Sequence, residues 1–168
     1  MYDKLTKKDI ALMEAELEDR RMNIRPRIIE EVKRTRAFGD LSENYEYKAA
    51  KQEQRRNDSR VRYLQAMIKT ATIIDEAQGE SGKVKLYDRV TVFMPEDGET
   101  MVLQVVSTVR IEPGKGYISM ESPLGKTLLG HAVGESLTVH VNDSYSYPIR
   151  IEKIEPAQDD GSAPLLSY

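Results

Sequence analysis

Gly39 stands between two long stretches whose apolar residues recur at helical spacing, and this arrangement leaves the N-terminal half few possible folds. Upstream, Ile10, Met13, Leu17, Arg21, Ile24, Ile28, Val32 and Thr35 step by three and four residues. They form one helical face that is apolar except at Arg21 and Thr35. Thr6, with Asp9 three residues on, suits an N-cap with a weaker form of the capping box. Pro26 removes one hydrogen bond, at about 3 kcal/mol in an ideal helix. The apolar period continues through it, so a kink is expected and not an end. Downstream, Ala50, Gln54, Asn57, Val61, Leu64, Ile68 and Ala71 alternate four and three, which is a coiled-coil seam. Only the part from Val61 onward is strongly apolar, so packing should be firmest at the base and looser near the turn. Two antiparallel helices joined by a short turn at Gly39 satisfy both patterns.

The periodicity changes at residues 79–83, Gly79-Glu80-Ser81-Gly82-Lys83, which read as a linker between a hairpin over residues 1–78 and a second domain over 84–156. In that second half, Val90 to Met94, Met101 to Val106, Tyr117 to Met120, Ser136 to Val141 and Ile149 to Ile154 are strand-like runs. Pro95-Glu96-Asp97-Gly98-Glu99 has turn composition. Pro123 to Gly130 reads as a short helix with proline at its start and glycine at its end. The fold class is therefore α+β, a helical coiled-coil hairpin followed by a compact α+β domain. Residues 157–168 are expected to form a disordered tail.

With 168 residues the chain is long enough for a real core, and its charged fraction of 32% suits a large area of exposed helix. The net charge of −3 is unevenly spread: residues 20–62 hold thirteen Lys/Arg and seven Asp/Glu, a local +6 that leaves −9 elsewhere. Such a basic segment suits a phosphate backbone or an acidic partner, and equally a solvated helix pair with mixed charges. The absence of cysteine excludes disulfides, thiolate metal sites and thiol nucleophiles. Residues Tyr2-Asp3-Lys4 do not resemble a signal peptide and no run approaches a membrane span, so a cytoplasmic protein without membrane contact is expected. His131 and His140 have no matching nucleophile or ligand cluster, and no dinucleotide, P-loop, hydrolase or zinc-protease motif occurs.

The turn itself, Gly39-Asp40-Leu41-Ser42-Glu43-Asn44, carries two carboxylates three residues apart. On spacing alone this is a capped turn. Asp40 would accept from the first turn of the following helix and Glu43 would reach back, or Ser42 would supply the cap.

The stretch from Asp40 to Lys51 resembles the tip motif of the Gre transcript-cleavage factors of bacterial RNA polymerase. Arg25-Pro26-Arg27-Ile28-Ile29 is similar to the family's proline in its first helix. Ser122 to Gly130 with Val133-Gly134-Glu135 resembles the signature of its C-terminal FKBP-like domain. The resemblance runs in order from about Leu5 to Glu155. It implies a factor that docks its FKBP-like domain at the rim of the polymerase secondary channel and inserts the coiled coil. At the tip, Asp40 and Glu43 would help hold a magnesium ion shared with the polymerase, and backtracked RNA would be cut near its 3′ end. Asn44 and Tyr47 would fix the tip. Lys48, Lys51, Arg55 and Arg56 would form a basic stripe toward RNA, salt-sensitive and blind to sequence. Ser122, Pro123, Leu124 and Gly125 would serve polymerase docking. The protein would act as a monomer, would bind no cofactor tightly when free, and would not be an enzyme alone.

Some positions depart from the family pattern. Val109-Arg110-Ile111-Glu112 stands where a more acidic loop is usual, and Asn142 to Tyr147 replaces a glycine-rich turn. Two other functions compete with cleavage stimulation. One is a regulator that occupies the channel and inhibits the polymerase without promoting cleavage, which the intact Asp40/Glu43 pair disfavours. The other is a prolyl isomerase, disfavoured because the C-terminal half has no Trp and only Phe93 as phenylalanine.

Overall fold

The computed structural model describes residues 3–39 and 43–167. The chain divides into two compact units, one of residues 10–71 and one of residues 3–9 with 72 onward. The boundary therefore falls earlier than the glycine-rich stretch at 79–83, and the N-terminal residues belong to the sheet unit. The reason is a strand pair that the sequence reading missed. β1 (Lys4–Thr6) lies parallel to β2 (Thr72–Ile74), with Leu5 opposite Ile73 and fully buried. A three-residue parallel pair leaves too short a pattern to recognise from sequence.

The first unit is the expected helical hairpin. α1 (Lys7–Asp19) runs into a π-helical turn at Arg20–Ile24, then α2 (Arg25–Arg36). α3 (Tyr45–Thr70) returns. Thr6 and Asp9 form the capping box at the start of α1: the Thr6 N–H donates to Asp9 Oδ2 (2.9 Å) and the Asp9 N–H to Thr6 Oγ1 (3.1 Å). The helix survives Pro26, but the accommodation differs from a simple kink. The Arg25 N–H bonds to the Arg20 carbonyl, a five-residue step that widens the turn just before a proline with no N–H to offer. The widened turn also shifts the helical face. Arg21, placed on the inner face by the period, is exposed, while Arg20 turns inward and donates to Asn57 Oδ1 (3.0 Å).

On α3 the expected seam is buried at Ala50, Asn57 and Leu64 and half-buried between them. Its polar middle is filled by charge: Glu16 accepts two hydrogen bonds from Arg60 (2.8 and 3.0 Å) and one from Arg20 (2.7 Å). Arg60 above all, helped by Arg20, holds the Glu16 carboxyl below the usual carboxylate range against the opposing pull of burial. No helix among the described residues is long and apolar enough to cross a membrane.

The second unit is a five-stranded sheet in the order β5-β4-β3-β7-β6. Its strands are β3 (Arg89–Met94), β4 (Glu99–Val106), β5 (Tyr117–Ser119), β6 (Ser136–Asn142) and β7 (Tyr145–Glu155). All neighbours are antiparallel except β4 and β5. Alternate residues Val90, Val92, Leu103, Val105, Ile149 and Ile151 form one buried face with Val139, and Leu128 of the short helix α4 (Pro123–Leu128) joins this core. Each such side chain contributes roughly 1.5–3 kcal/mol on burial, so this face dominates the stability of the unit.

The segment expected to be a disordered tail is bonded to the sheet unit instead. Arg110, with 0% exposure, donates from Nε to the Ala163 carbonyl (2.5 Å) and from its two terminal nitrogens to both carboxylate oxygens of Asp159 (2.7 and 2.9 Å). Nη1 also reaches Asp9 Oδ1 (3.1 Å). The Leu166 N–H donates to the Val109 carbonyl (2.7 Å). A buried guanidinium needs partners, and the polar tail residues supply them. Beneath Arg110, 5.7 Å away, lies the ring of Tyr87, whose φ of 67° is left-handed. That conformation is held by the Tyr87 N–H to Val105 O (2.9 Å) and by Gln104 Nε2 donating to Tyr87 O (2.7 Å). Burial, and then the Asp9 charge, push the Tyr87 phenol well above its ordinary range.

Candidate functional site

At the far end of α2 the backbone turns at Gly39, whose φ of 104° a side chain would disfavour. Asp40, Leu41 and Ser42 lie outside the described residues, so the expected role of Asp40 has no geometry to compare. α3 then begins from Asn44, which is its N-cap. Asn44 Oδ1 accepts from the Tyr47 N–H (3.0 Å), and Asn44 Nδ2 donates to the Thr35 carbonyl (2.6 Å). Thus one side chain satisfies an orphan donor at the start of α3 and adds a second bond to the Thr35 carbonyl at the end of α2, which also accepts from the Phe38 N–H (3.2 Å). Thr35 is itself buried and fixed, with Oγ1 donating to Glu31 O (2.8 Å) and Val32 O (3.2 Å). Thr35 is the position where sequence periodicity placed a polar residue on an apolar face. That mismatch was the signal for a hydrogen-bonding post, and it went unused.

Because Asn44 caps the helix, Glu43 does not. The Glu43 backbone carbonyl accepts from the Tyr45 N–H (3.1 Å), while its side chain is exposed and makes no hydrogen bond or ion pair among the described residues. The N-cap of α3 is thus Asn44 and not the expected Asp40, and the capping-box partner of Glu43 lies outside the described residues. Substituting Asn44→Ala is expected to lower hairpin stability by about 1 kcal/mol. Amide exchange at Tyr47 would speed up first, and unchanged exchange there would count against the bridging role.

The four basic residues of the expected stripe on α3 differ in environment. Lys51 is half-buried and donates to Gln54 Oε1 (2.9 Å), and Lys48 lies 5.5 Å above the ring of Tyr45. Arg55 and Arg56 are exposed, with no carboxylate partner among the described residues. Glu46, a candidate to neutralise this stripe, lies 4.0 Å from Arg34 of α2.

In the sheet unit, Ser122 caps α4. Its Oγ accepts from the Gly125 N–H (3.1 Å) and donates to the Ser119 carbonyl (2.6 Å). A Cβ on Gly125 would stand 2.1 Å from that same carbonyl, so glycine is required by close backbone approach. Of Ser122, Pro123, Leu124 and Gly125, only Pro123 is exposed. The motif therefore builds the turn as well as any surface. His131 Nδ1 lies 3.1 Å from Glu135, and His140 is exposed on β6. Among the described residues no group of three or more His, Asp or Glu side chains gathers to hold a metal.

Residues 4–73 match the family described as "Transcription elongation factor, N-terminal", and residues 77–156 match "Transcription elongation factor, GreA/GreB, C-term". The transcription elongation factor GreA of Oenococcus oeni is 34% identical over 154 residues, covering 92% of this chain and 95% of that protein. GreA of Listeria monocytogenes is 39% identical over 144 residues, 86% of this chain and 89% of its own. Among solved structures, the GreA factor homolog 1 (Gfh1) protein of Thermus thermophilus is 28% identical, covering 93% of this chain and 100% of its own, with a TM-score of 0.43. The sequence matches extend across both units at more than 30% identity, and on that ground the chain belongs to the GreA/GreB family of transcription elongation factors.

Proposed function

We propose that this elongation factor stimulates bacterial RNA polymerase to cleave backtracked RNA, releasing the 3′ fragment and rescuing arrested complexes. The sheet unit docks at the rim of the secondary channel, with the Ser122 to Gly125 turn contributing, and the helical hairpin enters the channel. The observation that carries this reading is the Glu43 carboxylate, exposed beside Asn44, the residue that caps α3.

Asp40 and Glu43 are hard oxygen donors of the kind magnesium takes, and two carboxylates are too few to hold it tightly without further ligands. They would hold it jointly with the polymerase, and the free protein is no enzyme by itself. When bound there, the ion supplies an activated water and charge stabilisation for phosphodiester hydrolysis. The chain's own contribution is position. Asn44 joins both helix ends, so the carboxylate of the adjacent Glu43 is presented from a braced backbone. Arg55 and Arg56, with Lys48 and Lys51, offer positive charge along α3 for RNA phosphates.

The test is a defined, backtracked elongation complex with labelled RNA. Added protein is expected to shorten the RNA from its 3′ end and restore elongation. Inhibition of the polymerase with no cleavage product would instead identify a channel-occupying inhibitor, and the product lengths would distinguish subtypes within the family.

A further inference from the structure

The turn between α2 and α3 carries two large rings with no use in the fold. Tyr45, the first residue of α3, is 78% exposed, and Phe38, just before Gly39, is 57% exposed. Both line one shallow cleft of about 360 Å³ together with Glu43, Asn44 and Glu46. Each ring has a cation against it: the Arg34 guanidinium lies 5.2 Å from the Phe38 centroid, and Lys48 Nζ lies 5.5 Å from that of Tyr45.

Exposing two rings to water is unfavourable unless something covers them, and this pair sits in the segment of strongest positive charge. Rings with neighbouring cations in a basic segment match the chemistry of single-stranded nucleic acid, whose bases stack on aromatic faces while its phosphates meet Lys and Arg. The carboxylates of Glu43 and Glu46 in the cleft disfavour a phosphate entering it. What the cleft admits is the flat, neutral face of a base, since the Arg34 guanidinium beside Phe38 is already held by both carboxylate oxygens of Glu31.

We infer that Phe38 and Tyr45 form a stacking subsite for an unpaired RNA nucleobase at the hairpin tip. This rests on the proposed role in RNA cleavage and deepens it, since a stacked base would hold the strand in register beside Glu43. Such a subsite reads no sequence, because every base has a π face.

Two measurements test it and separate its failure from that of the cleavage reading. In the first, the free full-length protein is titrated with a short single-stranded RNA oligonucleotide and followed by NMR. Shifts at the Phe38 and Tyr45 rings and upfield shifts of the RNA base protons are expected; the base-proton shifts should vanish with Phe38→Ala plus Tyr45→Ala and persist with Tyr45→Phe, since stacking needs the ring and not the hydroxyl. Absence of shifts, or shifts confined to Arg55 and Arg56, would overturn the subsite whatever the protein does to polymerase. In the second, cleavage is measured at limiting factor on RNA whose extruded segment bears natural or abasic nucleotides. The double alanine variant is expected to lose about tenfold on natural RNA and almost nothing on abasic RNA, the range set by one stacked base. An equal loss on both would mean that the rings touch the polymerase, and would overturn the proposal. If the wild-type protein stimulates no cleavage while the rings still bind the oligonucleotide, the subsite stands and the cleavage reading falls.

Discussion

Replacing Asp40 and Glu43 together with alanine is expected to abolish stimulation of RNA cleavage while leaving the hairpin folded. The fold should survive because α3 is capped by Asn44, whose bonds to Tyr47 and Thr35 do not involve Glu43. The loss should be large. Charge stabilisation by a well-held metal amounts to several kcal/mol of the barrier, and each 1.36 kcal/mol is tenfold in rate, so a fall of at least about a hundredfold is expected. Glu43→Gln sharpens the result, since it keeps the size of the side chain and removes its charge. For that variant, the dependence of cleavage rate on magnesium concentration should move to higher magnesium, with saturating ion recovering part of the activity. Circular dichroism of both variants should match the parent. Undiminished stimulation by the double alanine variant would refute the metal-holding role.

Arg110→Met is expected to cost about 3–5 kcal/mol of stability in the sheet unit, the penalty typical of removing one partner from a buried ion pair. Two carboxylates, Asp9 and Asp159, would be left in the interior facing a side chain with no donor, and the Ala163 carbonyl would lose its partner. In a chain of this size the shift in midpoint would be on the order of 10 °C by calorimetry. Asp159→Asn should cost less, because Arg110 keeps Asp9 and the amide oxygen still accepts one hydrogen bond. The double variant Arg110→Met with Asp159→Asn should then be less destabilised than the sum of the two singles, since the partners share one interaction. Additivity would mean that the tail and Arg110 act independently. The first turn of α1 should also loosen in Arg110→Met, because Asp9 serves both the capping box and the guanidinium.

The same residues show how far the sequence could be read. The hairpin was legible because a heptad-like seam and a three-and-four period over some thirty residues have few other solutions, and Gly39 marks the reversal. The sheet was legible as short strand-like runs, though β7 extends to Tyr145–Glu155, well beyond the run from Ile149 to Ile154. The period could not show the π-helical turn, because a one-residue slip leaves the spacing of apolar residues almost unchanged while moving Arg21 outward and Arg20 inward. The tail misled because its composition is polar. Polar residues are held when a buried partner needs them, and Arg110 lies far away in sequence.

By itself the sequence determined the helical pair, the strand-rich second half, the local +6 charge of residues 20–62 and the carboxylates at the turn. These are properties of spacing and composition within one segment. Only the tertiary structure decided that Asn44 is the side chain that caps α3. Thr35 and Asn44 meet across the turn, and a hydrogen bond between two helix ends leaves no periodic trace. For the same reason only the folded chain could unite Asp9, Arg110 and Asp159, because a buried charge is balanced by whatever the fold brings beside it.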